Sequence, residues 1–245
     1  MFSFTVTQHS ALAAGVVSLI GISSLLGTNP SYALGLTNGS FENGFNSWDR
    51  IGVTSIETAT FGNDPTQGTY QALLSTDTSG SAVDFELDSF LGSPVGSLYS
   101  LGAVGGSALK TRFTATAGDV VSFDWNFLTN ELTNPANTRN DFAFVTIGGL
   151  SKLADTNSTF VTSTTSFSAQ TGFEPFAYNF TTPGTYTLGI GVVDAVDFDT
   201  TSALLVDNVK LTSSSVPVPA EVHPALGLLI LGALSASSVL KRQQP

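Results

Sequence analysis

The chain has 245 residues, with 8 Lys and Arg against 19 Asp and Glu, 2 His, no Cys and a formal net charge of −11. The absence of Cys excludes disulfides, thiolate metal sites and cysteine nucleophiles. The negative charge argues against nucleic acid as a partner, because that binding depends on Lys and Arg neutralising phosphates. His9 and His223 lie near the ends, which excludes Ser-His-Asp and HExxH chemistry from the middle of the chain.

Residues 1–33 have the organisation of a secretory signal peptide. An apolar run extends from Ala11 to Leu26, and Ser31-Tyr32-Ala33 forms a small-x-small cleavage site. The segment before the run carries no Lys or Arg, and a retained membrane anchor or a buried core helix is the alternative interpretation. Because the run is short for a membrane span, we predict export and cleavage after Ala33.

Residues 34–213 predict a single all-β domain. Apolar and polar residues alternate with a period of two along segments 121–127, 176–180 and 186–192, as in strands with one buried and one solvated face. Turn sequences such as Thr182-Pro183-Gly184-Thr185 separate these segments. No segment combines helix caps with a 3.6-residue period over three turns. We predict roughly ten to twelve strands in one antiparallel β-sandwich of the jelly-roll type, flanked by the signal helix and a C-terminal apolar helix.

Two polar segments favour exposed loops. Residues 130–140 are Asn-rich and lack any period, and Asp194, Asp197 and Asp199 form an acidic cluster after the 186–192 strand. A solvated loop is the favoured interpretation of this cluster, and a second calcium site is the alternative.

The two ends of the domain carry a recognisable pair of motifs. The domain opens with Asn38-Gly39-Ser40-Phe41-Glu42, followed by Trp48, and closes with residues 203–211, ALLVDNVKL. This combination resembles the ends of galactose-binding-like jelly rolls, a frame shared by several families of carbohydrate-binding modules. The resemblance implies a β-sandwich, a core position for Trp48 and the binding of carbohydrate, although one fold hosts many functions.

The closing strand places a carboxylate on an apolar face. Asp207 shares its alternation face with four aliphatic residues, Ala203, Leu205, Val209 and Leu211. Residues 34–213 hold only six Lys and Arg against eighteen acidic residues, and an unpaired buried charge is costly. We therefore predict a divalent cation, which takes oxygen ligands at about 2.3–2.6 Å.

The jelly-roll resemblance implies which residues hold this ion. In those modules the corresponding glutamate, aspartate and backbone carbonyl ligate a structural Ca²⁺, so we expect Glu42, Asp207 and the Ser40 carbonyl to do so here. The ion would clip the two ends of the domain together. The alternative is that Asp207 accepts hydrogen bonds from backbone amides, or pairs with Arg50 or Lys210.

Residues that could bind or cleave a sugar are few. An aromatic platform with adjacent polar groups is the usual sugar site, and the aromatic candidates are Trp48, Tyr70, Tyr99 and Trp125. Trp125 lies in the alternating 121–127 segment, which favours core packing, whereas Tyr70 and Tyr99 lie near Gly-rich turns.

A glycosidase needs two carboxylates about 5–9 Å apart. The candidates are Glu57, Glu86, Glu131 and Glu174. Any acidic β domain offers as many, so we predict no catalytic residue and no enzyme activity.

The C-terminus has a second tripartite organisation. A serine spacer, the segment Val216-Pro217-Val218-Pro219-Ala220, an apolar stretch over 225–240 and Lys241-Arg242 follow one another. This order resembles the PEP-CTERM sorting signal of bacterial secreted proteins, with Val218 in place of the usual glutamate. As a helix, the apolar stretch would cover about 24 Å, short of a hydrocarbon core of about 30 Å.

The resemblance of the 214–245 segment implies an exosortase-type processing enzyme and transient anchoring in the membrane. The basic tail places the domain outside the cytoplasm. We therefore predict an exported, non-catalytic module that binds extracellular polysaccharide at the cell surface or in the matrix. A structural envelope or biofilm-matrix protein without a discrete ligand is the alternative, and a glycoside-active enzyme is the less favoured one.

Overall fold

The structure is a computed structural model that describes residues 35–131 and 140–213. The predicted signal peptide at 1–33, the sorting segment at 214–245 and most of the 130–140 loop lie outside the described residues. Within the described part of the chain, no helix is long and apolar enough to cross a membrane.

The described residues form thirteen strands and one α-helix, besides two single-turn 3-10 helices. In chain order, the strands are β1 Asp49–Ile51, β2 Val53–Glu57, β3 Gln71–Ser75, β4 Ala82–Val83, β5 Ala103–Ala115, β6 Val120–Thr129, β7 Phe142–Thr146, β8 Leu150–Asp155, β9 Val161–Thr162, β10 Ala169–Gln170, β11 Glu174–Asn179, β12 Gly184–Ala195 and β13 Ser202–Thr212. The helix α1 spans Asp84–Leu91.

The strands form two antiparallel sheets, which confirms the predicted all-β sandwich. Sheet A has the order β1-β5-β12-β7-β8, with β4 paired to β5. Sheet B has the order β2-β3-β13-β6-β10-β9, with β11 paired to β6. The strand count exceeds the prediction because β4, β9 and β10 are two-residue pairings that leave no periodic signal in the sequence.

The main core lies between the sheets and contains the faces predicted to be buried. It includes alternate residues of β6 and β12, which are Val121, Phe123, Trp125, Phe127, Leu188, Ile190 and Val192. Trp125 is 8% exposed and Trp48 is 6% exposed, so both tryptophans are core residues as expected. The intervening residues of these strands face outward, because successive side chains of a strand point to opposite faces.

Helix α1 covers part of the outer face of sheet A. Leu87 and Leu91, one helical turn apart, are buried against an apolar patch that contains Ala108, Phe142 and Phe144. Gly92 ends the helix in the left-handed conformation, at φ 72°. The sequence did not predict this helix, because its two turns are too short to show the three-turn period on which helix prediction rests.

The outer face of sheet B is also covered by the chain itself. Leu128, Ala203 and Leu205 form a third apolar cluster, against which Phe61 and Phe173 pack. Phe61 lies in the segment before β3, and Phe173 lies in the segment between β10 and β11.

Candidate functional sites

The opening motif of the domain folds around the side chain of Asn38. Its Nδ2 donates to the carbonyls of Gly44 (2.9 Å) and Asn46 (2.8 Å), and its Oδ1 accepts from the Asn43 N–H (3.1 Å). Phe41 is fully buried, with its ring 5.3 Å from that of Trp48. These contacts hold the next residue, Glu42, at a fixed place on the surface of the domain.

The opening segment lies directly against the last strand, as the resemblance implied. The Val209 N–H donates to the Gly39 carbonyl at 2.9 Å. A Cβ at position 39 would collide with the Val209 carbonyl oxygen, so only glycine allows this approach. Ser40, whose carbonyl is a predicted calcium ligand, is therefore adjacent to the point at which the two ends of the domain meet.

Asp207 is buried, but its surroundings differ from the prediction. Its register with β6 is regular up to Asp124, and a bulge follows at Asn208, which has φ 54°. The extra residue reverses the alternation, so Val209 packs in the core between the sheets while Leu205 lies on the outer face of sheet B. The predicted common face for Asp207 and Val209 is therefore wrong, and Asp207 lies on the outer face.

The predicted carboxylate ligands both bind the 66–70 segment. Asp207 Oδ2 accepts from the Gln67 N–H at 2.7 Å and from the Thr66 hydroxyl at 3.3 Å. Glu42 Oε1 accepts from the N–H groups of Thr69 (2.7 Å) and Tyr70 (2.9 Å). The structure thus brings Glu42 and Asp207 to one five-residue segment.

The close fit of this segment requires Gly68. Its φ is +74°, and a Cβ there would lie 2.7 Å from the Cδ of the Glu42 carboxylate. The segment turns its N–H groups toward the two carboxylates.

Asp207 accepts hydrogen bonds from backbone amides, which is the alternative to calcium binding given by the sequence. Besides Gln67, the Asn208 N–H donates to its Oδ1 at 2.7 Å. Arg50, one of the alternative partners, instead lies over the Phe45 ring, 4.9 Å from its centroid. Burial raises the pKa of Asp207, and the hydrogen bonds from Gln67, Asn208 and Thr66 oppose that rise.

Glu42 and Asp207 are the two carboxylates of the predicted calcium site. A carboxylate has about four lone-pair sites, so the amide bonds leave acceptor capacity on both residues. No group of three or more carboxylates or imidazoles among the described residues is arranged around one point. A site here would thus rest on two carboxylates and on backbone oxygens such as that of Ser40.

The structure places the aromatic and glutamate candidates for a sugar site on separate segments of the chain. Tyr70 is 39% exposed and Tyr99 is 69% exposed, whereas Trp48 and Trp125 are core residues. The four glutamates lie on different elements: Glu57 in β2, Glu86 in α1, Glu131 after β6 and Glu174 in β11.

The solvated-loop interpretation is wrong for Asp194. This residue lies inside β12 and is 1% exposed, while Asp197 and Asp199 follow the strand. β12 extends beyond the alternating 186–192 segment. Val193 and Ala195 are buried like the residues before them, so the alternation of apolar and polar residues does not show where the strand ends.

A row of polar residues crosses sheet A beside the C-terminal end of α1, where Leu91 lies against Gly189 and Thr146 is 8% exposed. Asp49, Lys110, Gly189 and Thr146 are directly paired across four neighbouring strands and therefore share one face. Arg112 and Thr187 pair in the next row. We call Asp49, Lys110, Arg112, Thr146 and Thr187 the open strip.

Two cavities lie along the open strip. One, of about 410 Å³, is lined by Asp49, Lys110 and Arg112 together with Trp48. The other, of about 390 Å³, is lined by Thr146 and Thr187 and by the segment after α1. The strip offers guanidinium, ammonium, hydroxyl and carboxylate groups, which together can donate to and accept from the hydroxyls of a sugar.

Sequence comparison does not assign the chain to a family. No protein-family model matches it, and no curated protein is significantly similar to it.

Several solved structures share features of its fold. A family-61 carbohydrate-binding module in complex with β-1,4-galactotriose is 15% identical over 74% of this chain and 99% of that one, with a TM-score of 0.41. A family-16 carbohydrate-binding module is 13% identical over 72% and 97% of the two chains, with a TM-score of 0.34. A cyclase from Fischerella sp. TAU, in complex with 4-(1H-indol-3-yl)butan-2-one, is 11% identical over 75% and 99%, with a TM-score of 0.36. At TM-scores below 0.5, these similarities assign no function to this chain.

Proposed function

We propose that this protein is a non-catalytic module that binds extracellular polysaccharide along the open strip of sheet A. The observation that carries the proposal is the cross-strand row of polar groups whose two ends line cavities of about 410 and 390 Å³. A polysaccharide is a linear ligand dense in hydroxyl groups, so it matches a linear row of donors and acceptors. The strip holds two cations and one carboxylate, which suits a neutral or weakly acidic glycan.

The strip would bind mainly through hydrogen bonds. Arg112 and Asp49 are exposed and can reach a ligand, whereas Lys110 is half-buried with its Nζ bonded to the Phe90 carbonyl at 2.7 Å. Trp48 contributes only an edge to the cavity wall, since it is 6% exposed. Binding without an open aromatic platform is expected to be weaker per sugar unit than stacking, and a long chain compensates through repeated contacts along the strip.

A glycan array, together with retardation of the purified protein in gels that contain soluble polysaccharides, tests this function. We expect retention by at least one neutral polysaccharide and no release of reducing sugar from it. A folded sample that is retained by no glycan would favour the structural matrix protein without a discrete ligand. Release of reducing sugar would favour the enzyme instead.

We further propose that a structural Ca²⁺ joins the two ends of the domain at Glu42, Asp207 and the Ser40 carbonyl. Gly39 and Val209 are already bonded at this place, and both carboxylates lie on the 66–70 segment. The ion would offset the cost of burying Asp207 and would not take part in chemistry.

Export and sorting complete the proposal. The signal-like segment at 1–33 and the PEP-CTERM-like segment at 214–245 support export, transient anchoring through residues 225–240 and processing by an exosortase-type enzyme near Pro217–Ala220. Mass spectrometry of the mature protein tests both ends. An intact Met1 or a cytoplasmic location would contradict export.

A further inference from the structure

Two carboxyl groups are in contact inside one end of the sandwich. Asp141 immediately precedes β7 and Asp194 lies near the end of β12, and they are 2% and 1% exposed. Val193 pairs with Phe142 across β12 and β7. The next residues, Asp194 and Asp141, therefore lie opposite each other. Each side chain is a hydrogen-bond partner of the other. Two ionised carboxylates at that separation would repel each other strongly in a buried site.

The surroundings of Asp194 differ from those of other buried aspartates in the molecule. Asp88 accepts N–H groups from Gly96 (2.7 Å) and Leu98 (3.2 Å), and Asp207 accepts N–H groups from two residues. Asp194 Oδ1, by contrast, is buried without a hydrogen-bond donor. A buried acceptor without a donor is costly, so a proton on this pair would satisfy it.

Asp141 connects this pair to the opposite sheet. Its Oδ1 accepts from the Ala195 N–H at 3.0 Å, and its Oδ2 accepts from the Ser202 hydroxyl at 2.7 Å. Ser202 begins β13 of sheet B, whereas Asp141 and Asp194 belong to the end of sheet A. The state of the pair therefore affects how the two sheets are held together at this end.

The other charged groups that face the pair add negative charge. Glu131 follows β6, and Asp197 follows β12, and both act on Asp194 by repulsion. The elements of sheet B contribute hydroxyls, those of Thr76 from the end of β3 and Ser202 from β13. Arg139 lies outside the described residues.

We propose that Asp141 and Asp194 hold one proton between them at neutral pH and form a pH-sensitive latch between the two sheets. With the proton in place, one carboxyl group donates to the other and the contact is attractive. Loss of the proton leaves two buried anions whose mutual repulsion strains the end of the sandwich at which Asp141 accepts the Ser202 hydroxyl.

The direction of the pH effect follows from burial. Burial raises the pKa of Asp141 and of Asp194 to about 7, and the contact between them adds to the rise for Asp141. In the unfolded chain both aspartates return to a pKa of about 3.9. Because the folded pKa is the higher one, the stabilising contribution is complete below about pH 4 and is lost as the pH rises through about 7.

Thermal unfolding of the full chain at about pH 5.5 and 8.5 tests the latch. For the wild type we expect the midpoint to fall by at least about 3 °C between these two pH values. The side chain introduced by Asp194→Asn cannot ionise, and its amide can donate to Asp141. We therefore expect the midpoint of this variant to decrease by at most half as much as that of the wild type between the two pH values. At the higher pH its midpoint should be above that of the wild type. Glu174→Gln, on exposed β11, is the control and should keep the wild-type fall.

Titration of the carboxyl carbons of the wild type by NMR gives a second, variant-free measurement. We expect one group of the Asp141–Asp194 pair to titrate above pH 6. Titration of both groups below about pH 5 would overturn the proposal, as would an unchanged pH dependence in Asp194→Asn. A calcium-dependent rise of the midpoint that Asp194→Asn abolishes would also overturn it, because the pair would then bind a cation.

Discussion

The two outer faces of the sandwich differ in how far the chain covers them. On sheet B, residues such as Phe61 and Phe173 pack over the apolar centre, and Asp207 lies beneath the 66–70 segment. On sheet A, the cover is the eight-residue helix and Leu98 from the segment after it, and the open strip lies beside the end of the helix. Sheet A therefore offers both a polar surface and adjacent cavities for a ligand.

The sequence of β5 shows why the cover of sheet A ends where it does. Ala108 faces outward and is buried in the cluster beneath α1. The next outward residues of the strand are Lys110 and Arg112, and the exposed fraction rises along the series until Arg112 is exposed. An apolar stripe needs a covering element whereas a charged one needs solvent, so the change of residue type along the strand marks the edge of the open strip.

The largest effect is expected from removing the helix contact on sheet A. Leu87→Ala deletes a fully buried side chain, and we expect it to lower the free energy of unfolding by about 2–5 kcal/mol in urea titrations. Phe85→Ala, on the same helix but 56% exposed, is the matched control and should change it by less than about 0.5 kcal/mol. Equal effects of the two variants would mean that α1 is not packed on the sheet as described.

Calcium removal tests the covered face of sheet B. Saturating Ca²⁺ should stabilise the wild type by about 2.7 kcal/mol at 100 times its dissociation constant, so EDTA should lower the melting temperature by about 5–10 °C. Asp207→Ala should be less stable than the wild type and insensitive to EDTA. A wild type whose melting temperature is the same in Ca²⁺ and in EDTA would leave Asp207 stabilised by amides alone.

The sandwich could be predicted from the sequence because its long strands expose a period of two. β6 and β12 each bury one face in the core, and the alternation along 121–127 correctly places Trp125 on the buried face of β6. Helix α1 could not be predicted, since Leu87 and Leu91 give only one helical repeat. The predicted face of Asp207 was wrong because the bulge at Asn208 depends on the pairing with β6 and has no periodic signature.

The sites were predictable only in part. The two motifs pointed to Glu42 and Asp207, which both accept hydrogen bonds from the 66–70 segment, and their sharing of one cation stays a prediction. The open strip was missed because its members come from four separate strands and meet only through sheet register. The Asp141–Asp194 contact was missed for the same reason, because its members lie 53 positions apart in the sequence.

A smaller effect is expected where α1 meets the strip. Gly189 lies between Thr146 and Leu91, and a Cβ there would collide with both side chains. We expect Gly189→Ala to lower the free energy of unfolding by about 1–3 kcal/mol, because the tip of the helix must move to make room. Gly35→Ala, where a Cβ meets nothing within 4 Å, is the control and should be neutral in the same urea titration.

Calorimetric titration of a retained polysaccharide into Arg112→Ala tests the assignment of ligand binding to sheet A. Lys210→Ala, which removes an exposed cation from β13 of sheet B, is the matched control. We expect Arg112→Ala to weaken binding by about tenfold, the equivalent of one charge-assisted hydrogen bond, and Lys210→Ala to leave the affinity within twofold of the wild type. Equal affinities of Arg112→Ala and the wild type, or a larger loss in Lys210→Ala, would contradict binding along the open strip.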